Sequence, residues 1–380
     1  MNALSALRET QSALRTVIEQ CREVDLYRQF HPDLSPLGWH FGHCVFVEIV
    51  WLRERVLGDD HFAQEFADLY LPERSPKGER GNRLPPREAL LGWARQLQCQ
   101  HARLLADPPQ RLRRHPLMRD DYLVWFLAQH HAQHLEIMRM VMAQRAATEQ
   151  HGMAVAAPLA LRRPSPPRVV LPAGDYRIGN NDCRAFDNEQ PPRRARIAAV
   201  ELAARLASNA EYLAFLDDGH PQRRFWSEAG WRWRQSQQDH LPEHWRRDAQ
   251  GNWLQLTPSG PRPLAPDDPV LGINHHEAAA FAAWAGGRLP HEYEWEAAAT
   301  LGLLRDAGGA WEWCRNRFHP YPGFRAFPYD GYSLPWFDGG HYSLRGGSPF
   351  TMPWLRRPSF RNFYQADKRH VFAGVRLAFD

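Results

Sequence analysis

Apolar residues recur at helical spacing through the first part of the chain. In four segments, residues 4–18, 45–56, 90–104 and 122–143, leucine, valine, isoleucine or tryptophan returns every three or four positions. This period places the apolar side chains on one face of a helix. Four such segments joined by loops predict a four-helix bundle, a fold that often builds metal sites from side chains on facing helices.

The pattern changes in the second part of the chain. Residues 169–179 are strand-like, and residues 209–216 and 275–285 have helical spacing. From Trp311 onward the chain interleaves aromatic residues with glycine and proline, which is typical of a loop-rich segment. We expect that segment to keep its shape through aromatic burial and side-chain hydrogen bonds rather than through long strand ladders.

A proline-rich stretch at residues 156–168 separates the two patterns. Proline removes a backbone donor and biases the preceding residue to extended geometry, so the stretch cannot sustain a helix. The sequence therefore predicts an α+β protein with a helical domain at 1–155, a linker at 156–168 and a second domain at 169–380.

Composition narrows the class of protein. The 380 residues include 47 basic and 43 acidic side chains, and a net charge of +4 argues against a dedicated nucleic-acid-binding protein. The five cysteines form no CxxC pair, which favours reduced thiols in the cytoplasm over a disulfide framework. The first residues carry charges where a signal peptide needs an apolar core, and no apolar run is long enough to span a membrane. We therefore expect a cytoplasmic protein without a membrane or nucleic-acid partner.

Histidines mark the candidate chemistry. His130 and His134 lie four residues apart in a run without proline or glycine, so on a helix they project from one face. Such a pair offers two neighbouring nitrogen donors to Zn, Fe, Cu or Ni. A bare pair is equally typical of ordinary helix histidines, since the chain has 19 of them. His40 and His43, on another predicted helix, break the tie because either could complete a three-histidine face that leaves positions open for substrate and oxygen.

Four motifs in the second domain resemble the formylglycine-generating-enzyme (sulfatase-modifying factor) family. They are GGRLPHEYEWEAA at 286–298, WEW at 311–313, LRGGS at 344–348 and FAGVRL at 372–377. The resemblance implies a C-type-lectin-like fold for this domain. The first domain, with its three spaced histidines, resembles a DinB-like four-helix bundle.

The pairing of these two domains is similar to the ergothioneine-pathway sulfoxide synthases and their relative selenoneine synthase. The stretches YPGFRAFPY at 321–329 and FRN at 360–362 are typical of that family. The resemblance implies a non-haem Fe(II) held by His43, His130 and His134, with His40 in reserve. It also implies hercynine, the trimethylated betaine of histidine, as one substrate and O2 as another.

The same resemblance suggests roles for further residues. Gln133 and Asn362 match positions that contact hercynine, and an amide offers both a donor and an acceptor; the alternative for Gln133 is a satisfied amide in the bundle core. Tyr329 and Tyr332 resemble a tyrosine pair beside the iron, in which the first supplies a proton to oxygen; the alternative is aromatic packing. Glu136 should point away from the ligand face, in a supporting or structural role.

The chain departs from the mycobacterial-type enzymes where they bind gamma-glutamylcysteine. Tyr364 stands where those enzymes have an aspartate, and Lys368 where they have an arginine. Together with Phe363, the aromatic replacement suits a neutral, stackable ligand such as a sugar, and selenoneine synthase takes selenium from a selenosugar. Arg80, in a long polar loop at 72–86, stands near a basic contact to the second substrate. That loop is otherwise a solvated surface loop.

We therefore predict O2-dependent formation of a carbon–selenium bond between hercynine and a selenosugar, at a site between the two domains. One alternative is an ergothioneine-type sulfoxide synthase that uses gamma-glutamylcysteine or cysteine. Others are a non-enzymatic metal- or carbohydrate-binding module and a DinB-type thiol transferase that uses zinc. Cys314 is not the cysteine pair of a sulfatase-modifying enzyme and is predicted to be a buried thiol. The oligomeric state is left open.

Overall fold

The computed structural model describes residues 1–59, 61–148 and 159–380. The chain divides into two compact units, Met1–Thr148 and Glu149–Asp380. The first residues of the predicted linker lie outside the described residues, and residues 159–167 carry neither helix nor strand. Among the described residues, no helix is both long and apolar enough to cross a membrane.

The first unit is helical, as predicted. Its helices are α1 (Ala3–Gln20), α2 (Glu23–Tyr27), α3 (Leu37–Glu48), α4 (His61–Tyr70), α5 (Arg87–Ala106), α6 (Gln110–Arg113) and α7 (Tyr122–Ala147). A π-helical segment, Ile49–Leu57, continues α3. The four predicted segments correspond to α1, α3 with its continuation, α5 and α7, whereas α4 was not predicted.

Helix α7 lies at the centre of this unit. It packs against both α1 and α3. Most of its side chains between Leu123 and Ala146 are buried, including the polar Gln129, His131, Glu136 and Gln144. A helix that is buried on most of its surface is a core helix, and its buried polar residues must find partners inside the protein.

Glu48, the last residue of α3, supplies such a partner. It is fully buried. Its Oε1 accepts hydrogen bonds from Gln11 Nε2 of α1 at 2.8 Å and His131 Nε2 of α7 at 2.9 Å. Its Oε2 accepts from His101 Nδ1 of α5 at 2.9 Å. Burial alone would raise the pKa of Glu48, but the hydrogen bonds from His101 and His131 outweigh burial and lower it to about 2. An ionised carboxylate therefore joins the other three long helices at one point.

In the described part of the second unit there are four small sheets and four α-helices, besides short 3-10 and π-helical segments. The helices are α8 (Asn209–Ala214), α9 (Glu228–Ser236), α10 (His275–Trp284) and α11 (Glu292–Thr300). The strands are β1 (Arg168–Leu171), β2 (Gly174–Ile178), β3 (Arg193–Ile197), β4 (Val200–Ala203), β5 (Trp245–Arg247), β6 (Trp253–Thr257), β7 (Gly260–Pro263), β8 (Trp311–Arg317), β9 (His341–Arg345), β10 (Asn362–Gln365), β11 (Ala373–Gly374) and β12 (Ala378–Phe379). In the described residues the sheet orders are β1-β4-β12, β2-β3, β5-β6-β7 and β10-β9-β8-β11.

Two sequence-based expectations for this unit need correction. Residues 169–179 do not form one strand, because Pro172 interrupts the ladder and the two halves join different sheets as β1 and β2. The chain after Trp311 is loop-rich, but it also carries the four-stranded sheet built from β8, β9, β10 and β11. Since its strands are separated by loops of up to 23 residues, from 318 to 340, local pattern does not reveal their pairing.

Charged residues from the sequence motifs of this unit form a buried charge network. Glu292 accepts hydrogen bonds at 2.9 Å from Arg345 Nη2 and from both Nε and Nη2 of Arg361. Glu312 accepts from Arg376 Nε at 2.6 Å. All five side chains are buried. Breaking such a network leaves a buried charge without its partner, so these motif residues specify the fold of the unit.

We expect Glu48→Ala to lower the free energy of unfolding by about 3–5 kcal/mol, because it leaves three buried donors without an acceptor. Urea unfolding followed by far-ultraviolet circular dichroism measures this. Glu9, exposed on α1, gives the control: Glu9→Ala should change stability by no more than about 0.5 kcal/mol. Equal stabilities for the two variants would contradict the assigned role of Glu48.

Candidate metal centre

The three predicted histidine ligands lie together in the first unit. His130 and His134 project from one face of α7, and His43 comes from α3, which packs against it. One nitrogen from each ring lies within 4.8 Å of the others. The ring centroids are 4.5 Å apart for His130 and His134, 4.7 Å for His43 and His134, and 5.2 Å for His43 and His130. The structure thus brings these three residues into one cluster.

The backbone of α4 sets the orientation of His43. Its Nδ1 lies 2.8 Å from the carbonyl oxygen of Tyr70, so Nδ1 carries the proton that is donated and Nε2 keeps its lone pair. Gly42 makes this approach possible, because a Cβ there would lie 2.3 Å from the Tyr70 ring. Trp39 stacks on His43 with centroids 4.8 Å apart and an interplanar angle of 11°. A backbone carbonyl and a stacked ring therefore hold one nitrogen toward the cluster.

Burial keeps the cluster neutral. It lowers the pKa of His43 to about 4, and the pKa values of His40, His130 and His134 well below their usual range. Neutral imidazoles have lone pairs for a metal, and imidazole suits Zn, Cu, Fe and Ni. Three nitrogen donors leave coordination positions open for substrates, so the donor set fits a catalytic transition metal better than a closed structural site.

A second grouping shares one member with this cluster. Ligand atoms of Cys44, His130 and His131 also lie within 4.8 Å of one another. However, His131 already donates through Nε2 to Glu48 at 2.9 Å. Burial raises the pKa of the Cys44 thiol well above its usual value, which disfavours the thiolate that a metal requires. Of the two groups, the three histidines are therefore the better candidate metal site.

His40, the reserve ligand, contacts a ligand residue. Its Nδ1 lies 3.0 Å from Nδ1 of His134. His40 belongs to neither of the two groups of close ligand atoms that include His130. On the same helix as His134, Gln133 is half-buried and donates weakly to the carbonyl of Gln129 at 3.4 Å, and Glu136 is buried.

Arg80 is engaged within the protein. Its Nε donates to the carbonyl of Ser75 at 2.8 Å, its Nη1 donates to Ser35 Oγ, and its guanidinium lies 3.7 Å over the ring of Trp39. Arg80 is only 4% exposed. Through these contacts Arg80 holds the loop at 72–86 against Trp39, the residue that stacks on His43.

The candidate residues of β10 divide between the two faces of their sheet. Phe363 pairs with Ser343, whereas Asn362 and Tyr364 flank it and point to the opposite face. Phe363 stacks on Phe318 with centroids 4.3 Å apart. Strand β10 therefore does not present Phe363 and Tyr364 to one ligand on one face. Sequence position alone suggested that they act together.

The two candidate tyrosines lie on a segment that carries several exposed apolar side chains. Tyr332 stacks on Phe186 at 4.2 Å and lies 6.5 Å from the Phe363 ring. The exposed side chains are Phe327 (44%), Tyr329 (40%), Leu334 (50%) and Trp336 (41%). Asp187 fixes both ends of this segment, since it accepts hydrogen bonds from Ser333 Oγ and from the backbone N–H of Phe327.

Burial raises the pKa of the Asp187 carboxyl to about 6. Lys368 is partly buried, with Nζ 3.9 Å from a carboxylate oxygen of Asp367. Cys314 is a buried thiol, as predicted.

Sequence reasoning missed the residues that support the cluster. Glu48 and His131 lie off the ligand face, and the Tyr70 carbonyl belongs to a helix that was not predicted. A signal for Glu48 was present, because an acidic residue at the end of an apolar helix needs a buried partner.

The two units of the chain resemble two known protein families. The DinB superfamily matches residues 6–138, and the sulfatase-modifying factor enzyme 1-like domain family matches residues 155–307 and 300–380. Hercynine oxygenase of Mycolicibacterium thermoresistibile is 30% identical over 424 aligned positions, covering 94% of this chain and 90% of that protein. Hercynine oxygenase of Mycolicibacterium smegmatis is also 30% identical and covers 94% of each chain. Ergothioneine biosynthesis protein 1 of Schizosaccharomyces pombe is 29% identical over 229 positions, covering 51% of this chain and 27% of that protein.

We expect the apoprotein to bind Fe(II) or Co(II), and His130→Ala to weaken binding by more than about 100-fold, since even loss of an outer partner of a ligand costs about 10–100-fold. Anaerobic titration followed by calorimetry measures the affinity. The exposed His61 on α4 gives the control, and His61→Ala should bind like the wild type. Unchanged affinity in His130→Ala would contradict the assigned ligand set.

Proposed function

The chain belongs to the hercynine oxygenase family, and on that basis we propose that it is a non-haem Fe(II) enzyme that joins the imidazole of hercynine to a chalcogen donor with O2. The observation that carries the proposal is the cluster of His43, His130 and His134, three neutral nitrogen donors within 4.8 Å of one another. When bound, iron would supply the oxygen-activating redox chemistry that protein side chains lack.

The balance of the reaction is simple. A C–H bond of the imidazole and the hydrogen–chalcogen bond of the donor break, and a carbon–chalcogen bond forms. One oxygen atom of O2 is transferred to the chalcogen and the other leaves as water, so that O2 is the oxidant. The protein must therefore hold two substrates in attack geometry and deliver protons to the leaving oxygen.

The chain's own residues divide these tasks in the proposal. His43, His130 and His134 hold the ion, and the amides of Gln133 and Asn362 bind and orient hercynine. Tyr329 holds the proton that is delivered to the leaving oxygen. A phenol is a weak acid in water but a usable donor beside a developing anion. Tyr332, stacked on Phe186, positions the segment that carries Tyr329.

For the second substrate we favour a selenosugar over gamma-glutamylcysteine. Phe363 has aromatic neighbours in Tyr332 and Trp336, whose rings lie 6.5 and 6.1 Å away. Aromatic faces suit the C–H faces of a sugar, whereas a peptide substrate brings charges that need partners. Lys368 has Asp367 beside it, and Arg80 is engaged by Ser75 and Trp39. The relative named ergothioneine biosynthesis protein 1 favours the second candidate, a sulfoxide synthase that uses a thiol.

We expect the Fe(II)-loaded protein to consume O2 only when both hercynine and a chalcogen donor are present. Competition between a selenosugar and gamma-glutamylcysteine in one assay, with products identified by mass spectrometry, decides the donor. A higher kcat/KM for the selenosugar supports the carbon–selenium reaction, and a higher value for the thiol supports the sulfoxide synthase. Product formation without O2 would contradict both and favour a zinc-type transferase.

We expect Tyr329→Phe to lower kcat by about 10²–10⁴-fold, the usual range for loss of a general acid, with little change in KM for hercynine. Tyr332→Phe is the matched control, because it keeps the ring that stacks on Phe186 and removes only the hydroxyl. Steady-state kinetics and a solvent isotope effect measure the difference. Equal kinetics for Tyr329→Phe and the wild type would remove Tyr329 from proton delivery.

A further inference from the structure

His40 of α3 makes a polar contact with His134 of α7. Its Nδ1 lies 3.0 Å from Nδ1 of His134, and the two ring centroids are 5.2 Å apart with an interplanar angle of 48°. His40 is only 5% exposed. The contact crosses from α3 to α7, the two helices that supply the three histidines of the cluster.

The chemistry of imidazole fixes the direction of this hydrogen bond once His134 holds a metal. A neutral imidazole has one protonated and one unprotonated nitrogen. Since Nδ1 of His134 faces His40, Nε2 is the nitrogen left for a metal, and Nδ1 must then carry the proton. His134 donates, and His40 Nδ1 accepts.

We propose that His40 is a positioning residue, which accepts the Nδ1–H of His134 and so holds the Nε2 of that ring toward His43 and His130. The inference rests on the proposed metal site and goes beyond it, because it gives His40 a role outside the coordination sphere. Metal-binding histidines usually donate their second nitrogen to a carboxylate or a carbonyl. Here the acceptor is a neutral ring.

A second ligand of the cluster, His43 on α3, has an equivalent arrangement. His43 donates from Nδ1 to the Tyr70 carbonyl at 2.8 Å, as His134 donates from Nδ1 to His40 at 3.0 Å. Two of the three ligands therefore have an outer partner at Nδ1, and the same tautomer satisfies both contacts. In both cases this tautomer leaves Nε2 unprotonated for the ion.

The assignment also fixes the hydrogen-bonding role of a buried atom. When Nδ1 of His40 accepts, its Nε2 must be an N–H donor, and that atom is buried with no hydrogen-bond partner among the described residues. A buried donor without an acceptor is costly, so an oxygen acceptor, from a water molecule or a substrate, should occupy the space beside it.

Two substitutions separate positioning from packing. His40→Asn keeps a carbonyl acceptor near the position of Nδ1, whereas His40→Phe keeps the volume of a ring and removes the acceptor. His40→Leu is a second variant without an acceptor, in case the larger ring is not accommodated. Circular dichroism and the thermal midpoint establish that each variant is folded.

The probe is Co(II), added to the apoprotein without O2 and followed by its visible d–d absorption and by calorimetry. We expect His40→Phe and His40→Leu to weaken Co(II) binding by about 10–100-fold and to change the absorption spectrum, because the freed His134 ring loses its fixed orientation. His40→Asn should restore most of the affinity and the wild-type spectrum. Rescue by an acceptor is a result that a packing role would not give.

Several results would overturn the inference. Wild-type affinity and spectrum in His40→Phe would show that the contact does not orient His134. X-ray absorption that counts four imidazoles on cobalt in the wild type and three in His40→Phe would make His40 a ligand instead. A wild-type protein that binds no Co(II) or Fe(II), like His130→Ala, would remove the metal site and the proposed function together, whereas failure at His40 alone leaves the three-histidine site intact.

Discussion

The geometry of the three-histidine cluster depends on one buried carboxylate that is not part of it. Glu48 ends α3 and accepts hydrogen bonds from side chains on α1, α5 and α7. Its partner on α7, His131, is the neighbour of His130, so the bond from His131 to Glu48 fixes the rotation of α7 about its own axis. With that rotation set, His130 and His134 can face only the side on which His43 lies. Because α7 is buried on most of its surface, the spacing of its apolar residues predicts a helix but does not set the rotation of that helix, and a polar anchor takes over that task.

The role of Glu48 explains which parts of the site could be predicted from the sequence. The spacing of His130 and His134 is a local property of one helix, and the four long helices follow from the period of their apolar residues. The helix that carries His43 could be predicted from the sequence. The choice between His40 and His43 as the third ligand could not, because both lie on a buried face of α3. That choice is made by the Tyr70 carbonyl, which orients His43, and by the contact of His40 with His134. Both are contacts between elements far apart in the chain, and no local pattern encodes them.

The second unit shows a different limit. Its motifs were sufficient to identify the domain, and the matching family confirms the identification. Yet the motif residues Glu292, Arg345 and Arg376 are buried in ion pairs that keep short strands together. The motifs therefore identify the fold of the domain but give little information about its ligand. The residues that would discriminate between ligands lie on β10, and there the alternation of the strand separates Phe363 from Tyr364, although the two are adjacent in sequence.

The charge of the centre bears on the proposed substrate. All three ligands are neutral imidazoles, in contrast to sites that include a carboxylate, so a divalent ion would keep its full charge in a buried place. Glu48 is ionised and keeps its negative charge, and its hydrogen bonds come from Gln11, His101 and His131, which lie outside the cluster. A site of this kind favours an anionic co-substrate, because the anion supplies the charge that the ligands do not. A selenol is more acidic than a thiol and is a selenolate at neutral pH without the help of a base. The neutral ligand set and a selenium donor are therefore mutually consistent, while a thiol donor would need its proton removed as it binds.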